Sequence, residues 1–416
     1  MGWRAMPVQA ARWALLGVLF AATAWAAGPP PAQLAADSFP VATDVRLGGD
    51  ATQTRFIMDL DRKIDLHVFT LADPYRLVLD IPQVTFQLPA NAGETGRGLI
   101  KAFRFGLVMP GGSRMVFDLT RSARVEKAFV MDAAAGAPAR LVLDLVATDR
   151  ESFLRNMAAE EKLARSETPT ALPPPVHSTD PRPLIVLDPG HGGIDTGTRA
   201  PNGECEKDIV LAFAKKLRDR LEQTGKYRVL MTRADDTFVA LPDRVSIARQ
   251  AGASLFISIH ADFLPRKEGD AEGATVYTLS DKPSDPQAAR VAAEENRADV
   301  IAGVNLKDEP DDVAGILLDL AQRETKTFSL QFAHKLVADL KPVTRLNKDP
   351  VRSAGFRVLR APDVPSVLIE LGYVSNKSDL QALNSDQWRD RTADSIVEAV
   401  NGYFATHLVG ASSRSN

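Results

Sequence analysis

The sequence predicts an all-β sandwich followed by an α/β domain with a mostly parallel sheet flanked by helices. Three observations support this. The chain has 416 residues, too many for one ordinary core. Apolar residues alternate in short runs up to residue 148, and strand-like and helix-like segments alternate from residue 184. A charged segment that could form a helix over 151–167, followed by a proline-rich segment without periodic apolar residues at 168–183, predicts a helical and proline-rich linker at 149–183.

The first predicted domain, residues 39–148, contains an internal repeat. Residues 54–62 are echoed at 113–121, and residues 76–80 are echoed at 140–144. Two copies of one hairpin-like unit, each with one apolar face, can bury those faces against each other. The repeat therefore predicts a small sandwich of two sheets.

The second predicted domain, residues 184–407, begins with a buried strand at 184–187. A helix follows, with a stripe formed by Ile209, Phe213, Leu217 and Leu221. The remaining strands are predicted at 227–231, 254–259, 274–279 and 366–369, and the remaining helices at 244–251, 328–340 and 392–405. This alternation is typical of an α/β layered domain.

The N-terminus has the pattern of a secretory signal. Arg4 and Arg12 precede the apolar run 13–25, which is short for a membrane span, and Ala24, Ala26 and Ala27 stand where a small-residue cleavage site belongs. We expect a Sec-type signal peptide over 1–27, a periplasmic mature protein and no stable membrane span after cleavage. The formal net charge of -3 argues against nucleic acid as a partner, and one cysteine, Cys205, excludes an internal disulfide framework.

Polar clusters follow three predicted strands, where the sites of open α/β sheets form. They are Asp188-Pro189-Gly190-His191-Gly192-Gly193, Ser258-Ile259-His260-Ala261-Asp262 and Leu368-Ile369-Glu370-Leu371-Gly372. Two acids, Glu204 and Glu206, stand at the start of the first helix. Two histidines and a carboxylate predict a catalytic zinc site, in which Asp188 and Asp262 would accept hydrogen bonds from the histidine rings. A single histidine after a strand would more simply be a surface residue.

At these residues the sequence resembles the zinc-dependent N-acetylmuramoyl-L-alanine amidases. The matching motifs occur in the family's order and are 188–193, 206–208, 258–262 and 367–376. The preceding sandwich resembles an AMIN domain, a module associated with binding peptidoglycan at division sites. The resemblance implies that His191, Glu206 and His260 hold Zn²⁺ and that Glu370 is the catalytic carboxylate. It favours Glu206 over Glu204, because the ligand stands directly before Lys207.

The resemblance also implies a regulatory helix in an insertion at about 281–327. In some division amidases a glutamate of this helix occupies the fourth metal position, and here Glu295 is the expected residue, with Glu294 as the alternate. An activator with a degenerate LytM-type peptidase domain would bind the displaced helix through an apolar stripe formed by Val313, Ile316, Leu317 and Leu320. The simpler interpretation of the segment is an acidic surface helix.

Three functions remain consistent with the sequence. The first is hydrolysis of the amide between the lactyl group of N-acetylmuramic acid and L-alanine, for wall remodelling and daughter-cell separation at the septum. The second is a wall-binding scaffold with an inactive hydrolase domain. The third is a zinc peptidase acting within the stem peptide, because site geometry alone does not separate amide classes.

Overall fold

The structure is a computed structural model that describes residues 39–164 apart from 90, 110 and 135, and residues 180–262, 272–304 and 316–412. The predicted signal peptide and most of the proline-rich linker lie outside the described residues. Within the described ranges, every helix is too short or too polar to cross a membrane.

The first part of the chain is made of antiparallel strands and one short parallel pairing. Its strands are β1 (Val41–Gly49), β2 (Gln53–Leu60), β3 (His67–Leu71), β4 (Arg76–Pro82), β5 (Thr85–Phe86), β6 (Ile100–Met109), β7 (Gly112–Leu119), β8 (Ala123–Met131) and β9 (Ala139–Ala147). They form a five-stranded sheet, β5-β1-β2-β9-β8, and a four-stranded sheet, β3-β4-β7-β6. The predicted all-β domain of two sheets is confirmed.

The strand pairing differs from the simplest expectation for a repeat. Each sheet combines strands of both copies, because β2 pairs with β9 and β4 pairs with β7. In register, Phe56 faces Leu143 and Leu79 faces Met115. A strand has the same apolar alternation whether it pairs within its own copy of the repeat or with the other copy. The sequence pattern therefore predicted the buried faces of the strands but not their pairing partners.

The sandwich core is aromatic at its centre. Phe56 of the five-stranded sheet contacts Phe103 and Phe117 of the four-stranded sheet, with ring centroids 5.4 and 4.9 Å apart. Such edge-to-face pairs stabilise packing beyond the area they bury. The helix α1 (Arg150–Ala164) follows directly and packs Phe153 against Tyr75, with ring centroids 5.0 Å apart.

The second part of the chain is a layered α/β structure. Its strands are β10 (Leu184–Pro189), β11 (Arg228–Met231), β12 (Leu255–His260), β13 (Ala274–Leu279), β14 (Leu346–Ala354) and β15 (Ser366–Glu370). Its helices are α2 (Glu206–Gln223), α3 (Leu241–Gln250), α4 (Pro286–Glu295), α5 (Ala298–Ile301), α6 (Ile316–Leu340), α7 (Lys377–Leu383) and α8 (Asp386–Ser412).

The sheet order is β11-β10-β12-β15-β13-β14. Strands β10, β11, β12 and β15 run parallel, whereas β13 pairs antiparallel with β15. The sheet is therefore mixed and mostly parallel, as predicted. Strand β14 and helix α7 were not predicted from the sequence, and α6 begins at Ile316, twelve residues before the predicted helix start at residue 328.

Helices cover both faces of this sheet. Alternate strand residues point to opposite sides, so Ile185 and Ile257 pack towards α2, α6 and α8, while Val186 and Phe256 pack towards α3 and α4. Runs that are apolar at every position are typical of strands buried on both faces. The polar residues that follow β10, β12 and β15 are thereby brought to one edge of the sheet.

Candidate metal centre

Three adjacent strands deliver the polar residues. His191 follows the end of β10, while His260 and Glu370 are the last residues of β12 and β15. His260 and Glu370 lie opposite each other in the parallel register. All three side chains are buried. The carboxyl ends of these strands therefore meet at one site, as expected for an open α/β sheet.

Four buried side chains converge at this site. The group consists of His191, Glu206, His260 and Glu295, whose ligand atoms all lie within 4.8 Å of one another. Nε2 of His191 lies 3.2 Å from Oε1 of Glu206 and 3.5 Å from Oε2 of Glu295. Nδ1 of His260 lies 3.3 and 2.9 Å from the same two oxygens.

The donor set fits a metal ion. His191 Nε2 and His260 Nδ1 are buried, and within the described part of the chain neither makes a hydrogen bond of regular geometry, although both face carboxylate oxygens. Buried polar atoms are normally satisfied, so two such nitrogens at one point need an explanation. Neutral imidazoles and carboxylates around a common centre are the ligands of a divalent cation.

Glu206 is held in place by backbone amides. As the first residue of α2, its carboxylate lies at a helix N-terminus, where negative charge is favoured. Its Oε1 accepts from the Ala261 N–H at 2.9 Å, and its Oε2 accepts from the Thr198 N–H at 3.0 Å. Glu204 is exposed and instead accepts a hydrogen bond from Asn384. Glu206, not Glu204, therefore faces the site.

His191 is oriented by Asp195, a residue that sequence reasoning missed. Oδ2 of Asp195 lies 2.9 Å from Nδ1 of His191, which leaves Nε2 directed at the site. His191 has a φ of 58°, in the left-handed region that only a well-anchored loop stabilises. The one available signal was that Asp195 lies in the same glycine-rich loop as His191.

Asp188 was expected to accept from a histidine, and this expectation is wrong. Its Oδ1 accepts from Thr232 at 2.6 Å and from Arg244 at 2.8 Å, and its Oδ2 accepts from Ser258 at 2.7 Å. Asp188 lies within the sheet, three residues before His191, and its side chain points towards α3 instead of the metal cluster. The Arg244 guanidinium, opposing the cost of burial, holds the pKa of Asp188 below its usual range.

Two buried arginines hold the loop that carries His191. Arg244 of α3 donates to the carbonyl oxygens of Pro189 at 2.9 Å and of His191 at 2.7 Å. Arg233 donates to those of Pro189 at 2.9 Å and Gly190 at 2.7 Å. These contacts fix the backbone at the left-handed residue. No local pattern distinguished either arginine from a surface charge, because both act over long sequence separations.

Gly190 permits the histidines to approach each other. Any side chain at Gly190 would overlap the His260 ring, and the His191 and His260 ring centroids are only 4.9 Å apart. The glycine-rich motif is thus required by packing beside the metal ligands.

The cluster has the electrostatics of a cation site. Burial opposes protonation of His191, but Glu206, Asp195 and Glu295 outweigh it and raise its pKa well above the usual value. In the same way, burial is outweighed by Glu295 and Glu206 at His260, whose pKa rises to about 10. The carboxylates therefore favour positive charge at the site, which a metal ion can provide in place of protons on the histidines.

Glu370 lies beside the cluster but is not one of its four converging ligands. Its Oε2 accepts from the Asp262 N–H at 2.9 Å, whereas Oε1 makes no hydrogen bond to any described residue. Burial, followed by the Asp262 carboxylate, raises the pKa of Glu370 well above its usual range, against the opposing effect of His260. A carboxyl group whose pKa is raised by burial binds a proton more readily than an exposed one, which suits a role in proton transfer. Asp262 thus contributes its backbone N–H to Glu370.

The two acids at the end of α4 face different surroundings. Glu295 is 6% exposed and reaches both histidines, whereas Glu294 is turned outward towards Arg290, 3.8 Å away. The fourth position of the cluster is thus occupied by the residue expected from the sequence, and the alternate does not reach it. Val313 lies outside the described residues, and the side chains of Ile316, Leu317 and Leu320 are not described.

Comparison with known proteins identifies the family of this chain. The N-acetylmuramoyl-L-alanine amidase family matches residues 185–402, which include every strand of the α/β sheet except the first residue of β10. The chain belongs to this family. The AMIN domain family matches residues 44–145, within the sandwich. The chain is therefore a peptidoglycan amidase with an N-terminal AMIN domain.

Individual relatives are similar over half or nearly all of the chain. The chain is 33% identical to the N-acetylmuramoyl-L-alanine amidase AmiC of Escherichia coli O6:H1, over 92% of this chain and 93% of that protein. It is 41% identical to AmiA of Escherichia coli K12, over 53% of this chain and 76% of that protein. The solved structure of AmiC2 of Nostoc punctiforme is 26% identical, covers 54% of this chain and 97% of its own, and has a TM-score of 0.39.

Proposed function

We propose that this amidase is zinc-dependent, that Glu370 is its catalytic acid and base, and that Glu295 holds it in an inhibited state. The observation that carries the proposal is the convergence of His191, Glu206, His260 and Glu295. Two imidazoles and a carboxylate form the usual protein ligand set of catalytic zinc. Zinc requires no redox partner, which suits hydrolysis.

The metal and Glu370 would have different roles in hydrolysis. When bound, zinc would acidify the attacking water and polarise the scissile carbonyl of the lactyl–L-alanine amide. Glu370 would accept the proton of that water at Oε1 and return it to the leaving L-alanine nitrogen. The Asp262 N–H, bonded to Oε2, leaves Oε1 of Glu370 as the free proton acceptor.

Inhibition follows from the position of Glu295. Its Oε2 approaches both histidine nitrogens that face the cluster, at 2.9 and 3.5 Å. A fourth protein ligand leaves no coordination position for the attacking water. Activity would then require a partner that binds α4 better in the displaced form than in the docked form, and an activator with a degenerate LytM-type domain is the class we expect.

The setting of the reaction is the bacterial cell wall. We infer a periplasmic enzyme exported by a Sec-type signal and recruited by its AMIN domain to the division septum, for wall remodelling and daughter-cell separation. Support comes from the N-terminal residues 1–27 and from the match of 44–145 to the AMIN family.

Metal analysis combined with fragment analysis tests this function. Purified protein should carry one zinc that a chelator removes and Zn²⁺ restores, and the activity of the Glu295→Ala variant should be lost and recovered together with the metal. Mass spectrometry of digested sacculi should detect free stem peptides that begin at L-alanine. Cleavage inside the stem would identify a peptidase, and wall binding without any cleavage, even after α4 is displaced, would identify a scaffold.

A further inference from the structure

We propose that the four-stranded sheet of the AMIN domain is a binding surface for the inhibitory segment, so that this domain fastens α4 and α5 over the metal centre. The inference rests on the proposed inhibition by Glu295. The observation behind it is a set of arginine contacts between the two domains, which belong to one compact unit beginning at Phe39.

Three guanidinium groups of this sheet bind consecutive carbonyl oxygens. Arg76 donates to the carbonyl of Val300 at 2.7 Å, Arg104 donates to that of Ile301, and Arg114 donates to that of Ala302 at 3.2 Å. These carbonyls lie at the C-terminal end of α5, which ends at Ile301. The last carbonyls of a helix lack intrahelical partners and carry partial negative charge, so cations stabilise them.

Apolar packing accompanies the polar contacts. A methyl group at Gly303 would lie 2.8 Å from Val78 and 3.0 Å from Val116, both on the same sheet. Gly303 also has a φ of 70°, which favours glycine. Ala302 is fully buried in the same cluster as these valines. The sheet surface is therefore complementary to residues 300–303 in both shape and charge.

The other side of the segment is tied to the catalytic domain. Asn296 follows Glu295 directly and binds the backbone of Gly355 and Arg357. Asp299 accepts from the Leu241 N–H at 2.8 Å. The segment 296–303 is thus bound by the AMIN domain on one side and by the catalytic domain on the other. Glu295 directly precedes this segment. Releasing the AMIN contacts removes one of the two supports for the docked Glu295.

The internal repeat supplies a matched control. By the repeat, Arg55 corresponds to Arg114, and by strand register Arg46 corresponds to Arg104. We call Arg55 and Arg46 the control pair; they bind Asp144 and Asp59, respectively. The arginines to be tested, Arg114 and Arg104, bind Asp80 and Asp118 in the equivalent way.

The two pairs of arginines differ in their exposure to solvent. The side chains of Arg46 and Arg55 are 48% and 55% exposed, against 24% and 17% for Arg104 and Arg114. Within the described residues the control pair binds only carboxylates of its own sheet. Substitution of the control pair therefore removes equivalent ion pairs but keeps the contacts with the carbonyl oxygens of Ile301 and Ala302.

Hydrogen exchange on the full-length zinc-loaded protein tests the proposal. Arg104→Gln/Arg114→Gln should speed exchange of the amides of residues 288–303 roughly tenfold or more, because hydrogen bonds to charged groups are lost. It should also raise basal hydrolysis of purified sacculi. The control Arg46→Gln/Arg55→Gln should leave both unchanged. Equal exchange in the two double variants would overturn the proposal.

A second variant avoids the arginines altogether. Gly303→Ala inserts a methyl group between the segment and the valines, and it should speed exchange in the same residues. Its control is Gly225→Ala, at a φ of 68° with nothing within 4 Å of the added methyl. Glu295→Ala separates the two hypotheses. If it raises basal hydrolysis while Arg104→Gln/Arg114→Gln and Gly303→Ala leave exchange unchanged, inhibition stands and the proposed role of the AMIN domain is wrong. If it does not raise hydrolysis, inhibition by Glu295 is itself wrong.

Discussion

Oε2 of Glu295 lies 2.9 Å from Nδ1 of His260, nearer than the 3.3 Å that separates this nitrogen from the proposed ligand Glu206. The residue that would inhibit the enzyme therefore makes as close an approach to the cluster as a residue that would support catalysis. Because Glu295 is carried on α4 and not on a strand, the proposed displacement would move a helix and would not require any strand pairing of the sheet to break.

We expect Glu295→Ala to raise basal hydrolysis of purified sacculi by at least about tenfold, since a change of 1.4 kcal/mol in the docking equilibrium of α4 suffices for this. Dye release from labelled sacculi measures it. The matched control is Glu294→Ala, which removes an acid from the same turn that points outward to Arg290. Equal rates in both variants would contradict a specific role for Glu295.

Glu370→Gln should retain zinc but lose turnover by about 10²- to 10⁴-fold, the usual contribution of general acid–base catalysis. Glutamine keeps an oxygen that can accept from the Asp262 N–H, so the strand end should stay in place. The measurements are zinc content and stem-peptide release, made in the Glu295→Ala background so that inhibition does not mask the loss. Substantial residual turnover would exclude Glu370 from the proton transfers.

Asp195→Asn should weaken zinc affinity by roughly 10- to 100-fold, as expected when the partner that orients a histidine ligand is altered. The cause is the 2.9 Å contact with His191 Nδ1. Competition with a chromogenic chelator measures the affinity. Asp236→Asn is a suitable control, because Asp236 contacts the same loop at the Gly193 N–H without reaching a histidine. Unchanged affinity in Asp195→Asn would show that the loop alone orients the ring.

Arg244→Met should destabilise the fold by about 3–5 kcal/mol, because it leaves the Asp188 charge buried without its partner. Chemical denaturation measures the free energy of unfolding. The control is Arg249→Met on the same helix, whose pair with Asp363 is exposed and should contribute less than about 1 kcal/mol. Equal losses in the two variants would contradict the importance of the buried pair.

The pair of Asp188 and Arg244 also predicts a dependence on pH. The pKa of Asp188 is lower in the folded protein than its usual value. Its stabilising contribution is therefore complete above the unfolded pKa and is lost as pH falls through the folded one. The difference in unfolding free energy between the parent protein and Asp188→Asn should be largest near neutral pH and should shrink in acid. A constant difference would show that Asp188 acts only as a hydrogen-bond acceptor.

Several features were predictable because they depend on local pattern. The two-sheet domain, the mostly parallel sheet and the meeting of His191, His260 and Glu370 follow from apolar alternation and from the ends of parallel strands. The roles of Asp195 and Arg244 were not predictable, because several acids and arginines fit the same local sequence and tertiary geometry selects among them. The antiparallel direction of β13 was missed for a related reason. It depends on how the chain crosses the sheet, which apolar alternation within one strand does not specify.

The exchanged pairing of β2 with β9 and of β4 with β7 sets the order in which the AMIN domain can fold. Before the second copy of the repeat has been synthesised, only the hairpins β1–β2 and β3–β4 are available, and isolated hairpins are marginally stable. Neither sheet can be completed until the second copy has followed. Because these pairings join distant parts of the sequence, we expect the domain to fold slowly and cooperatively, with apolar strand edges exposed until the second copy is complete.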